Sequence, residues 1–100
     1  MEPDFELIFE WDGEKARSNY KDHKGVTFPE ASTVFKDPLA LTSDDPLHSD
    51  DEERFFIIGR SEQERLLWVC FTERDDSIRI ISARKAKPSE RRAYASGTGF

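Results

Sequence analysis

One cysteine, two histidines and one methionine occur in 100 residues, and each scarcity removes a class of function. A lone Cys70 cannot close an internal disulfide, which fits a reducing compartment rather than a disulfide-stapled scaffold. His23, His48 and Cys70 do not have the spacing of zinc ligands. The acidic segment 43–53 lacks the ligand pattern and central glycine of a calcium loop. The five glycines form no P-loop, no GxGxxG turn and no nucleophile elbow. There is no internal repeat and no low-complexity tract. No apolar run approaches the ~20 residues of a membrane span, and the N-terminus is acidic with no apolar signal core. The expectation is a cytoplasmic chain that needs neither cofactor nor metal and has no membrane partner.

What is present reads as one globular domain over residues 1–100, with an ordered core at about 5–95 and a tail at 96–100. Charged and hydrophobic residues each make up 36%, and that balance separates the chain from disordered sequences. The net charge of −6 argues against a broadly basic nucleic-acid binder. The distribution qualifies this. Residues 1–53 hold five Lys/Arg against fifteen Asp/Glu, whereas residues 54–100 hold ten against six. An anionic ligand is therefore expected at the second half, and a basic protein partner at the first.

Apolar residues alternate at Phe5, Leu7, Phe9 and Trp11, which predicts a strand with one buried face. Asp12 caps a helix with Glu14 in its first turn and Lys21, His23 and Lys24 late, and Gly25 stops it. Only Ala16 and Tyr20 are core candidates there. Thr27 or Phe28 opens a second helix, with Pro29 in its first turn; Ala31, Val34 and Phe35 share a face, and Asp37-Pro38 ends it. A short strand is expected at 39–42, then an acidic loop at 43–53 with Pro46 as turn former. Segments 54–60, 65–74 and 77–84, joined by polar turns, predict an antiparallel meander. Their nearly continuous apolar character implies cover on both faces. Pro88 and Ser89 start a final helix running to about residue 95. The order β-α-α-β-β-β-β-α gives an α+β domain: a mainly antiparallel sheet, two N-terminal helices packed together on one face, and a C-terminal helix.

Chemistry concentrates in the arginines. Arg54, Phe56, Ile58 and Arg60 share one face of the first meander strand; Leu66, Trp68, Cys70, Thr72 and Arg74 share one face of the second. On a regular third strand Arg79 opposes Ser82 and Arg84. A bulge near Ser82, or a strand that ends before Arg84, would bring Arg79 and Arg84 together; otherwise one of them is structural. Strand-end arginines often mark only where a sheet meets water, but five on three adjacent strands suit phosphate, whose geometry guanidinium forks match.

His23 is either an acid–base group or a helix cap. Tyr94, near Arg91 and Arg92, is either a catalytic phenol or an anchor between helix and sheet. Glu53-Arg54 sets a carboxylate beside a cation, as surface pairs also do. Trp11, Trp68 and Phe71 are read as core before base-stacking platforms, and Cys70 as a buried, unreactive thiol. Arg65 lies in a turn and is expected to matter little.

Phe9-Glu10-Trp11-Asp12 with Lys15 and Asn19, then His23, Gly25-Val26, Phe28, Glu30-Ala31, Val34-Phe35 and Asp37-Pro38, resemble the first half of BrnT-family toxins. Glu53-Arg54, Ile58-Gly59, Leu66-Leu67, Thr72, Arg74, the run 78–84 with Ala86, and Glu90-Arg91-Arg92 with Tyr94 resemble the second half. The family's Lys-His-Gly-Val reads here Asp22-His23-Lys24-Gly25-Val26. The resemblance implies a RelE-like fold, metal-independent RNA cleavage and a BrnA-type antitoxin, through which the complex reaches DNA only indirectly. On an endoribonuclease reading Arg54, Arg74, Arg79, Arg84, Glu53, His23 and Tyr94 are the catalytic candidates, and Arg60, Lys85, Arg91 and Arg92 the RNA-binding ones. The alternatives are a non-catalytic partner that holds an antitoxin in its DNA-binding form and, more remotely, a stress-response adaptor.

Overall fold

A computed structural model describes residues 7–45 and 52–99. Phe5, Pro46, His48 and Phe100, on which some of the expectations above fall, lie outside them. The described chain forms β1 (Ile8–Glu10), α1 (Gly13–Asp22), α2 (Phe28–Thr33), a 3₁₀ turn (Val34–Lys36), β2 (Leu41–Asp44), β3 (Phe55–Arg60), β4 (Leu66–Arg74), β5 (Ser77–Lys85) and α3 (Pro88–Ser96). The five strands make one mixed sheet in the order β1-β5-β4-β3-β2. The pairings β2–β3, β3–β4 and β4–β5 are antiparallel, and β1 joins β5 in parallel. Among the described residues no helix is long and apolar enough to cross a membrane.

Local chemistry sets the helix ends. Asp12 accepts the amides of Glu14 at 2.9 Å and Lys15 at 3.0 Å and so caps α1. Behind α1, Lys24 at φ 53° and Gly25 at φ 82° turn the chain through two left-handed residues, a conformation glycine tolerates and lysine disfavours. The Thr27 hydroxyl accepts the Glu30 amide at 3.1 Å and so caps α2.

One sheet face packs under α1, α2 and the 3₁₀ turn. Its core joins Val26, Phe28, Ala31 and Val34 to Ile57, Leu67, Val69, Phe71, Ile80 and Ala83. The two helices share this face, but a shallow groove runs between them, lined by Ala16 and Tyr20 on one side and Thr27 and Phe28 on the other. Tyr20 is not in the core; it is 55% exposed. Asn19 is buried instead. Its side chain donates to the carbonyls of Val26 and Ala83 and accepts the Ala83 amide at 3.0 Å, pinning α1 to β5. The 3₁₀ turn approaches β3 so closely that a Cβ at Gly59 would lie 2.7 Å from Val34 Cγ1. Only glycine fits there.

The second face is half-covered by α3, through Ile58, Leu66 and Ala86 with Trp68 and Tyr94. Ser96 belongs to α3 rather than to a tail, and Gly97 closes the helix in the left-handed conformation.

Candidate functional site

The sheet face that α3 leaves open carries the arginines, and an irregularity in β5 puts them there. Cys70 pairs with Ser82 but Phe71 pairs with Ile80, so Ile81 is an extra residue. This bulge reverses side-chain parity along β5. Arg84 stands opposite Trp68 and Arg79 opposite Thr72, both on the even-numbered face of β4. Of the alternatives the sequence leaves open, the bulge is the one found.

At one end of this face three guanidiniums gather. Arg79 pairs with Glu10 of β1 at 3.3 Å. Arg74 grips Glu52 with Nε at 2.7 Å and Nη2 at 2.8 Å. Glu52 is held below the usual glutamate range, first by those bonds and then by the charges of Arg74, Arg79 and Arg54. One carboxylate thus stands among three arginines, where another anion would find the same field. Thr72 donates its hydroxyl to the Glu53 carbonyl at 2.7 Å, tying the 52–54 segment to β4. Glu53 is exposed and lines an open cavity of about 400 Å³ with Glu52, Phe55, Thr72 and Glu73.

Mid-face, the rings of Phe56 and Trp68 lie 4.8 Å apart. The Arg84 guanidinium sits 4.1 Å from the Trp68 ring centroid and meets Glu90 of α3 through two bonds of 2.8 and 3.0 Å. Burial alone would raise the Glu90 carboxyl, yet Arg84 and the Lys87 amide hold it below its usual value. Arg84 therefore fastens α3 to the sheet. Beside these rings Cys70 is buried, and burial pushes its thiol up to about 11; such a thiol is protonated and inert at neutral pH.

At the opposite end of the strands lie Arg60, Lys85 and α3 with Arg91, Arg92 and Tyr94. The Tyr94 hydroxyl donates to Asp37 at 2.7 Å, and this bond leads the causes that raise its pKa. Burial opposes ionisation of Asp37, but the amides of Arg60 and Leu39 and the Tyr94 hydroxyl keep it ionised. Tyr94 is thus an anchor for α3, away from the Arg54–Arg79 cluster. His23 is farther removed still. It caps α1, its amide bonded to the Asn19 carbonyl at 2.9 Å, in the helical layer across the sheet from the arginines. Trp11 and Phe71 pack in the helical-side core, whereas Trp68 belongs to the open face.

Arg65, outside the arginine face, has a structural partner. It binds Glu30 through Nε at 2.9 Å and through an Nη2–Oε1 contact, and Ser61 adds a bond of 2.7 Å. The Glu30 side chain is 1% exposed, so Arg65 is a structural partner. Sequence reasoning also missed Glu52, because its neighbour Glu53 was the carboxylate beside an arginine in sequence, and contact with Arg74 crosses 22 positions. Among the described residues no three His, Cys, Asp or Glu side chains converge as metal ligands.

Fold and face together define a small α+β domain that presents arginines and aromatic rings from one sheet surface. The sequence model of the ribonuclease toxin BrnT, of type II toxin–antitoxin systems, matches residues 11–90, and the chain belongs to that family. The crystal structure of the Brucella abortus ribonuclease toxin BrnT is similar in fold, with a TM-score of 0.59 at 21% identity over 82% of this chain and 99% of that one. Among curated protein sequences none matches.

Proposed function

We propose that this toxin is a metal-independent endoribonuclease of the RelE-like kind, acting on cytoplasmic RNA and neutralised by a BrnA-type antitoxin. The observation that carries the reading is the Ile81 bulge, which sets Arg79 and Arg84 on one face with Arg54 and Arg74. In RNA cleavage without a metal the ribose 2′-OH attacks the adjacent phosphorus and the 5′-oxygen leaves. Negative charge builds on the phosphoryl oxygens, and preorganised cations stabilise it. Arg54, Arg74 and Arg79 supply that field, and the incoming phosphate displaces Glu52. Glu53, exposed in the same segment, accepts the 2′-OH proton, and the leaving 5′-oxygen takes a proton from solvent. Phe56 and Trp68 offer apolar rings beside the scissile group. Arg84 holds α3 and the Trp68 ring in place. The antitoxin covers the arginine face, and the complex reaches DNA through the antitoxin.

Alanine variants of the four arginines, compared by RNA cleavage and thermal melting, test this. Arg54→Ala and Arg79→Ala are expected to lose on the order of 100-fold or more in rate. Arg79→Ala melts close to the parent, because a half-exposed pair such as Arg79–Glu10 is worth under about 1 kcal/mol. Arg84→Ala loses rate and melts lower. If all four cleave like the parent, this face is not the reaction site. If the parent cuts no RNA, with or without ribosomes, the non-catalytic reading replaces this one.

A further inference from the structure

The strand ends opposite the Arg54–Arg79 cluster enclose a pocket of about 250 Å³ lined by Arg60, Glu64, Arg65, Leu66, Lys85 and Arg91. Four of the six residues are cations and one is a carboxylate. Elsewhere on the sheet the arginines are matched by acids: Arg74 by Glu52, Arg79 by Glu10 and Arg84 by Glu90. Here Arg65 is matched by buried Glu30, but the other three cations change the balance. Lys85 and Arg91 are exposed, and neither has an ion-pair partner among the described residues.

Two of the cations are already ordered. Buried Glu30 orients Arg65. The Arg60 amide is bonded to Asp37 at 2.7 Å, and its guanidinium lies 6.0 Å from the Tyr94 ring centroid. Converging positive charges repel one another until an anion enters, and a ligand that meets pre-ordered side chains loses little entropy in fixing them. Guanidinium forks and an ammonium favour the oxygens of a phosphate.

We propose that this pocket is a phosphate subsite for the RNA backbone, separate from the point of cleavage. The proposal rests on the ribonuclease reading. Six residues of β5 separate Arg79 from Lys85, about 20 Å along an extended strand. A strand of RNA held at both ends therefore has to pass α3, which packs on this face against Ile58, Leu66 and Trp68, and the subsite sets its direction along the strands. An acidic protein segment fits less well, because Leu66 is the only apolar lining residue and is itself buried, which leaves no anchor for a hydrophobic side chain.

The test is equilibrium binding of a 2′-O-methyl RNA octamer, which cannot be cleaved, to the parent, to K85Q/R91Q and to Arg79→Gln across a salt series. The paired variant is expected to bind about tenfold more weakly, with the slope of log Kd against log salt reduced by about 1.4, two phosphate contacts' worth for a single strand. Its melting temperature should match the parent's, and K85R/R91K should recover most of the affinity. Normal RNA binding by K85Q/R91Q alongside weakened binding by Arg79→Gln overturns the subsite and leaves the ribonuclease reading standing. The subsite is likewise overturned if K85Q/R91Q keeps its RNA affinity but loses inorganic phosphate binding, a free-anion site, or loses antitoxin binding, a protein-docking site. Failure of the parent to bind RNA at all overturns both readings.

Discussion

Glu30 is a carboxylate removed almost entirely from water, and Arg65 and Ser61 supply the donors that keep it ionised. Its pKa is lowered chiefly by the Arg65 bond. A carboxyl whose folded pKa lies below the unfolded one stabilises the protein above the unfolded value, and that stabilisation is lost as pH falls through the folded one. Arg65→Ala would leave the charge buried without its partner, at a cost of about 3 kcal/mol, and the midpoint of melting should fall by more than 10 °C or so for a domain this size. In the variant burial dominates and raises the same carboxyl, so protonation relieves the damage. The gap in melting temperature between parent and variant should therefore narrow as pH drops from 7 toward 4; a constant gap would show that Glu30 is not the source. Glu52 leads to an opposite expectation for function. Glu52→Gln removes the anion that stands among Arg54, Arg74 and Arg79, and the variant should bind 2′-O-methyl RNA several-fold more tightly. Unchanged or weaker binding would show that the cluster does not receive phosphate.

The elements were legible because their signals are local: a capping aspartate, a proline in a first turn, apolar residues two apart. Phe9 and Trp11 pack as strand alternation requires, whereas Leu7 and Ile8 at the sheet edge are more than half exposed. The Ile81 bulge carries no sequence mark of its own. The run 78–84 is apolar enough to pair regularly, and only the conflict between Arg79 and Arg84 hinted at a break. Docking of α3 depends on two polar pins, Arg84–Glu90 and Tyr94–Asp37. Glu90→Ala removes both Arg84 bonds and the one from the Lys87 amide, a loss of about 2 kcal/mol. Amides of α3 should then exchange faster by hydrogen exchange while those of β3 and β4 stay protected. Uniform acceleration would mean that α3 and the sheet unfold as one unit.

Across the whole molecule, part of the split between an acidic first half and a basic second half is spent inside the fold. Glu10 meets Arg79, Glu30 meets Arg65 and Glu52 meets Arg74, each pair joining one half to the other. Lys85, Lys87, Arg91 and Arg92, exposed and with no ion pair among the described residues, lie together at the α3 end. A partner guided by charge therefore meets a field more local than composition suggests. Association with an antitoxin segment whose charge complements the surface it covers should slow as salt rises from about 50 to 500 mM, because screening shortens the reach of exposed charge. The association rate, followed by stopped-flow fluorescence, should also fall when acidic and arginine surfaces are reversed in sign. A rate indifferent to both would point to an apolar docking surface.

By itself the sequence determined the number, type and order of the elements, the buried Cys70 thiol and the concentration of arginine on the meander strands. Each follows from spacing within a few residues, and spacing of that kind is what periodicity and capping encode. The tertiary structure alone decided that Ile81 bulges, that Asn19 rather than Tyr20 is buried, that Arg65 holds a buried carboxylate, and that Arg54, Arg74 and Arg79 face Glu52 while His23 and Tyr94 do not. Those outcomes depend on which strands lie side by side and in what register. Register is set by the summed fit of one whole face to its core, so residues twenty to seventy positions apart become partners with no local signal to announce them.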